Sequence, residues 1–381
     1  MRLGFVSIED YNNKKAWSGT IYNLYKNLKL KYDDLIPFKT ELNLNSLIIN
    51  LKKIKGRLTN SSYEIHKDLT ILKALGSEID EYIEKNKLDC IFSPGSMNLA
   101  FVKSKVKKII YIDATFINLL NSSDWYKSYS KRKIEEYFII EKKIFENCDK
   151  ILVATDWVKS SLIDDYFIES ERIEIIPFGA NIDISKINFE KIKYSIENKE
   201  FNELKLVFIG VDYKRKGLDL VLETVKVINE NHNIKCTLSI IGANPKIEKD
   251  ISKYVKIYGF VDKNTNESFE LFQEIMCSSH FFYMPTNSEA FGLVFAEAAA
   301  YGLPCITNKI DGPQYIIRHG QTGFLLEKGS NVNLYAKTIL DNFNEITYKK
   351  LALNSLNEFK TKLNWNTSFE KITSIINDVV K

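Results

Sequence analysis

The sequence predicts an α/β protein of two Rossmann-like units in tandem, each a parallel sheet flanked by helices. Three observations carry that expectation. Short β-branched runs alternate with longer helical patterns along the whole chain. At 381 residues the chain is too long for one ordinary core, so two domains are expected. The strand–helix series also stops in a polar stretch, roughly 182–203, and then begins again. That stretch reads as the connection between an N-terminal unit over 1–182 and a second over 183–364, followed by an amphipathic terminal helix over 365–381.

The elements follow in order. "LGFVSI" (Leu3–Ile8) reads as a buried strand, and "WSGTIYNLYKNL" as a loop entering a helix. "CIFSPG" (Cys90–Gly95), "KIIYID" (Lys108–Asp113), "KILVAT" (Lys150–Thr155) and "IEIIPFG" (Ile173–Gly179) continue the strand series. It restarts with "LKLVFIG" (Leu204–Gly210), then "CTLSIIG", "VKIYGFV", "FFYMP" and "PCITN".

Composition excludes several classes. Hydrophobic residues at 45% and charged residues at 27% are those of a globular protein. No apolar run approaches the ~20 residues that span a bilayer, and "MRLGFVSIED" is a strand pattern, not a signal peptide. Five scattered cysteines without a CxxC pair suit reduced, cytosolic thiols. A net charge of +4 is too small to imply nucleic acid. The expected location is therefore the cytoplasm. A dehydrogenase reading is weak, because the loop after the first strand, "DYNNKKAWSGT", holds one glycine, Gly19, where a dinucleotide fingerprint needs three. In tandem α/β sheets the ligand is expected at the carboxyl ends of the strands, between the domains.

"NSEAFGLVFAEAAAYGLP" (Asn287–Pro304) places Glu289 in a loop and Glu297 in a helix that is apolar on every side, with no local cation for either. Carboxylates near a core are costly unless partnered. A helix start opened by Gly292 offers free N–H groups to an anion, and carboxylates accept protons from hydroxyl pairs. The bland alternative is a solvated Glu289 and a Glu297 paired to a distant basic residue. In "FIGVDYKRKGLDLVLETV" (Phe208–Val225), Gly210 ends a strand and Arg215, Lys216 and Gly217 open a helix. Cations there oppose the helix dipole, which suits a diphosphate. A solvated basic turn is the alternative.

Together these segments resemble the retaining glycosyltransferases of glycosyltransferase family 4, which have the two-domain GT-B fold. "SEAFGLVFAEAAAYGLPCI" is similar to that family's E-x7-E motif, "YKRKGLDLV" to its phosphate turn and "IIPFGAN" to its strand before the interdomain linker. "IYGFV" resembles the segment that frames the nucleobase, and "IRHGQTGFLL" a glycine-rich loop. The resemblance implies two Rossmann-like domains facing a cleft, with the terminal helix crossing back to the first. It implies that Glu297 binds the nucleotide ribose, Glu289 the transferred sugar and Lys216 the diphosphate. Phe291, Gly292 and Leu293 lie at the donor, the last two through backbone N–H groups. Gly210 ends the phosphate strand, Phe260 and Val261 frame the base, and Gly19 faces the phosphates from the first unit. The sequence departs from the family twice: Val211 stands where many members have arginine, leaving Arg215 as the candidate cation, and Asp113 stands where many have histidine.

The implied reaction moves a sugar from a nucleoside-diphosphate donor to a hydroxyl, in cell-envelope or other glycan synthesis, with retention and without a resident cofactor. No Asp-x-Asp pair is present to hold a divalent ion, so metal independence is expected. The alternatives are another nucleotide-sugar enzyme on this fold, such as an epimerase or phosphorylase, or a donor-binding subunit of a transferase pair. The acceptor, whether glycan, lipid-linked or protein, is left open. The basic amphipathic stretch 45–58 is a candidate peripheral contact with the inner face of a membrane, against a core-packed helix with a basic edge.

Overall fold

The structure is a computed structural model that describes residues 1–42, 68–122, 126 and 129–381. The candidate membrane stretch 45–58 lies outside the described residues. The chain divides into two units: Met1–Pro177 with Ser368–Lys381, and Phe178–Thr367.

The first unit is built on β1 (Leu3–Phe5), α1 (Thr20–Lys31), β2 (Leu35–Pro37), α2 (Leu69–Asn86), β3 (Cys90–Pro94), β4 (Lys107–Ile112), α3 (Phe116–Ser122), α4 (Lys131–Glu146), β5 (Lys150–Val153), α5 (Asp156–Asp164) and β6 (Ile173–Ile175). Its six strands run in the order β2-β1-β3-β4-β5-β6, every pair parallel. β1 and β3 are buried along their whole length and β4 from its second residue on, as strands covered by helices on both faces must be. Side-chain caps start the two long helices: Asp68 accepts from Thr70 and Ile71 N–H, and Ser130 accepts from Lys133 N–H.

The second unit comprises α6 (Phe189–Glu197), β7 (Leu204–Ile209), α7 (Leu218–Asn231), β8 (Cys236–Ile241), β9 (Val255–Gly259), α8 (Asn266–Ser278), β10 (Phe281–Tyr283), α9 (Leu293–Ala300), β11 (Cys305–Asn308), α10 (Pro313–Ile316), β12 (Gly323–Leu326), α11 (Val332–Asp341) and α12 (Glu345–Thr361). Its parallel sheet runs β12-β11-β10-β7-β8-β9. The terminal helix, α13 (Trp365–Val380), begins in the second unit. There the Trp365 indole donates to Asn181 at 2.9 Å. From Ser368 it belongs to the first unit, where the Tyr32 hydroxyl donates to Thr373 O at 3.3 Å and Asn377 Oδ1 at 3.1 Å.

Two expectations need correction. The stretch 182–203 is not plain linker: α6 buries Ile192 and Ile196, the apolar face of a one-sided helix. "GFLL" is strand β12 and not part of a glycine-rich loop. Gly323 lets it approach β11, since a Cβ there would lie 2.1 Å from Cys305 O.

In each sheet the strand order reverses at one point, between β1 and β3 in the first and between β7 and β10 in the second. Loops that leave the carboxyl ends of the two strands at such a point diverge to opposite faces and leave a crevice where ligands bind.

Candidate functional site

The loops after β7 and β10 are locked together. Lys216 N–H donates to Asp212 O at 3.0 Å and Leu218 N–H to Tyr213 O at 3.0 Å, which folds 212–218 into a tight turn. Gly217 closes it at φ 78°, and a Cβ there would sit 2.2 Å from Pro285 O on the other loop. Only glycine allows both the left-handed backbone and that approach. Asn287 N–H then donates to Arg215 O at 2.9 Å. From below, Asn308 Nδ2 donates to Pro285 O and Thr286 O at 3.1 and 2.9 Å, and Thr307 Oγ1 to Met284 O at 2.7 Å.

This frame brings Lys216 against Glu289. Their ammonium and carboxylate form an ion pair, with Arg215 Nη1 3.7 Å from the same oxygen. Arg215 also donates from Nε to Asp212 at 3.0 Å and from Nη1 to Ser288 O. Glu289 is held through its backbone as well: its N–H donates to Asp311 Oδ2 at 3.3 Å and its carbonyl accepts from Gly312 at 3.2 Å. Burial, then the charge of Arg215, draws Lys216 down to about 7, with Asp212 opposing; the Glu289 carboxylate in contact also favours the charged form. Burial raises Asp311 to about 6.

Gly292, at φ 90°, opens α9, whose first N–H groups have no acceptor within the helix. Phe291 is buried against Phe178, ring centroids 5.2 Å apart, and Leu293 is the first helical residue. One turn further on, Glu297 is 3% exposed and ion-paired to Lys263. Lys263 follows Phe260 and Val261 in the loop after β9; Phe260 is 65% exposed and Val261 buried. Neither glutamate has a cation nearby in sequence, yet each meets a distant lysine: Lys216 from the loop after β7, the strand next to β10, and Lys263 from the loop after β9, three strands from β10, which is the distant partner the alternative reading gave Glu297. Gly210 ends β7, and a Cβ on it would lie 3.1 Å from Lys216 Cγ, so the small residue makes room for the lysine stem.

The structure therefore gathers Gly210, Arg215, Lys216, Glu289, Phe291, Gly292, Leu293 and Glu297, with Phe260 and Val261 on the β9 loop, at the carboxyl ends of one sheet. Gly19 and Asp113 belong to the other unit. Gly19, at φ 92°, caps α1, and Asp113 follows β4, accepting from the Trp17 indole at 3.2 Å. Burial raises Asp113 to about 6 against the opposing effect of that hydrogen bond. Sequence reasoning missed Lys263 and Asp311, because both reach the motif residues across the sheet and not along the chain.

Residues 203–344 match the family model for group 1 glycosyl transferases. The match lies within the second unit. A capsular polysaccharide biosynthesis glycosyltransferase of Staphylococcus aureus is 25% identical over 259 residues, 64% of this chain and 65% of that one. Two solved structures share the fold over its full length. The sucrose-phosphate synthase of Thermosynechococcus elongatus has a TM-score of 0.71 at 13% identity, covering 100% of this chain and 99% of that one. An Anabaena protein, HepE, solved in complex with UDP and glucose, has a TM-score of 0.63 at 13% identity, covering 99% and 100%. The two-sheet α/β architecture is that of the GT-B glycosyltransferases. Among the described residues no helix is long and apolar enough to cross a membrane.

Proposed function

We propose that this glycosyltransferase moves a hexosyl group from a nucleoside-diphosphate sugar to a hydroxyl of a cell-envelope glycan, in the cytoplasm, with retention of configuration and without a metal ion. The observation that carries the reading is the Lys216–Glu289 pair at the crevice between β7 and β10, flanked by Arg215 and the start of α9. A buried ion pair that loses one partner costs about 3–5 kcal/mol, so whatever separates it must replace both partners. A sugar diphosphate does so: its phosphate oxygens take Lys216, and its sugar hydroxyls donate to Glu289. On the β9 side, a ribose diol gives Glu297 the protons that Lys263 supplies without ligand.

The chemistry follows from where charge develops. As the glycosidic bond to the diphosphate breaks, negative charge grows on the leaving group and the sugar becomes oxocarbenium-like. Lys216, Arg215 and the N–H groups that open α9 are fixed in advance around that leaving group, which stabilises the transition state more than the ground state. Glu289 then holds the sugar and favours its positive charge. The acceptor hydroxyl attacks from the face the diphosphate leaves, and its proton passes to the departing diphosphate oxygen.

A thermal-shift panel of UDP, GDP, ADP and CMP tests the reading, followed by mass spectrometry of the corresponding nucleotide sugars. A ligand at 100 times its dissociation constant stabilises by about 2.7 kcal/mol. The UDP-bound neighbour favours UDP. A shift with no release of diphosphate from any sugar nucleotide would favour a donor-binding subunit instead.

A further inference from the structure

Glu289 is fixed through its backbone by a turn that lies outside the motif. Asp311 and Gly312, between β11 and α10, grip it on both sides: Glu289 N–H donates to Asp311 Oδ2 at 3.3 Å, and Gly312 N–H donates to Glu289 O at 3.2 Å. The fit is close, since a Cβ on Gly312 would lie 1.8 Å from Ala290 O. Asp311 sits at φ 36°, a left-handed backbone that aspartate and asparagine enter more readily than other side chains. Gln314 Nε2 donates to Asp311 O at 3.3 Å and closes the turn. From the loop after β12, Lys328 Nζ donates to Asn287 O at 3.0 Å, two residues before Glu289.

Two features of this turn are unfavourable in themselves: a non-glycine residue in the left-handed region, and a carboxylate that burial raises to about 6. The site gives them a use. In the proposed reaction the diphosphate takes Lys216, so the ion pair that fixes the Glu289 side chain in the free protein is given up as the donor binds. The backbone contacts with Asp311 and Gly312 need no ligand group and can persist through that exchange. They matter because a misplacement of about 1 Å at a reacting centre lowers a rate on the order of a hundredfold.

We propose that Asp311 is a positioning residue for sugar transfer: its carboxylate, through the Glu289 N–H, holds Glu289 on the donor sugar after Lys216 has moved to the diphosphate. This rests on the donor-site reading and extends it to a residue that reaches the sugar only through Glu289. Asp311 is charged above about pH 6 and neutral below it, so the hold weakens as pH falls through that value. Lys328 is the charged side chain that favours the ionised form. Glu289 faces Asp311 with its N–H, while its own carboxylate is engaged by Lys216 and Arg215. Asp113 of the first unit titrates over the same range, so a variant, and not the pH profile alone, must assign the effect.

The test follows hydrolysis of UDP-glucose, UDP-galactose and UDP-N-acetylglucosamine to UDP by the full chain, from about pH 5 to 8. For a donor that is turned over, Asp311→Ala should lower kcat by roughly ten- to a hundredfold while KM changes by less than about threefold. Asp311→Asn keeps the left-handed backbone and an acceptor oxygen without the charge. It should recover kcat to within about fivefold of the unaltered chain, and the fall in kcat below pH 6 should vanish. The Glu289 amide proton gives a reading without ligand: its resonance should move with a midpoint near pH 6 and stay still in Asp311→Asn. If Asp311→Ala does not melt cooperatively, the Asp311→Asn profile and the amide resonance decide. Three results each overturn the proposal: unchanged kcat in Asp311→Ala, a fall below pH 6 that persists in Asp311→Asn, or a Glu289 amide that does not titrate. Turnover of none of the three donors overturns it as well, and the thermal shift with bare UDP then shows whether the nucleotide site fails with it.

Discussion

Around the switch point of the second sheet the charges come in pairs. Lys216 meets Glu289 with Arg215 alongside, and Lys263 meets Glu297. Around that of the first sheet, Asp113 accepts from the Trp17 indole, and Glu141 from the Ser96 and Tyr166 hydroxyls and the Phe116 N–H. The two sheets place their loops by the same rule, yet one crevice stores opposite charges and the other stores acceptors. Paired charges can be exchanged for a ligand that is itself anionic and hydroxylated. Topology fixes where each site lies; the charge on the loops fixes what it takes.

The sharpest way to break the comparison is to remove the cation. Lys216→Ala should lower kcat by roughly 10²–10³-fold, the scale for one preplaced group at a developing anion. Steady-state transfer beside a melting curve checks it, since the variant also strands Glu289. Next in size is the loop lock. Gly217→Ala adds a Cβ 2.2 Å from Pro285 O at a left-handed position, and it should destabilise the second unit by about 2 kcal/mol or more, read as a fall in Tm.

A pH series sharpens the contrast further. With Lys216 drawn down to about 7, the charged form proposed to grip diphosphate prevails below that pH and is lost above it. Affinity for bare nucleoside diphosphate should therefore weaken as pH rises from 7 to 9, by at most about tenfold per unit. Lys216→Arg, which cannot lose its charge in that range, should flatten the profile. The smallest effect expected is that of saturating EDTA, which should leave transfer essentially unchanged. Complete loss restored by Mg or Mn would show that the diphosphate is neutralised by an ion and not by Lys216 and Arg215.

The proposed donor site was legible because its signals are local. Gly217 beside Lys216, and Glu289 eight positions before Glu297, each lie within one loop and the start of one helix, and β7 and β10 read as apolar runs. What was not legible is pairing across the sheet. Glu289 is 73 residues from Lys216, and Glu297 is 34 from Lys263, so both pairs depend on β7, β9 and β10 ending on the same side. β2 has three residues and β12 starts on a glycine, too little for a strand pattern to stand out. Helix α6 was readable, since Ile192 and Ile196 keep helical spacing, but its polar surroundings hid it. A cavity of about 420 Å³ in the first unit draws single residues from many segments, and no stretch of sequence announces it.

The central claim is that a diphosphate takes Lys216 from Glu289 while the ribose takes Glu297. Calorimetric titration of bare UDP, or whichever diphosphate the thermal panel selects, into Glu297→Ala and Glu289→Ala measures it directly. Loss of a charged acceptor for hydroxyls should weaken binding to Glu297→Ala by roughly ten- to a hundredfold. Glu289→Ala should bind as well as the unaltered chain or better, because its lysine is released, and should lose kcat instead. Equal weakening in both variants, or no change in either, would contradict the account.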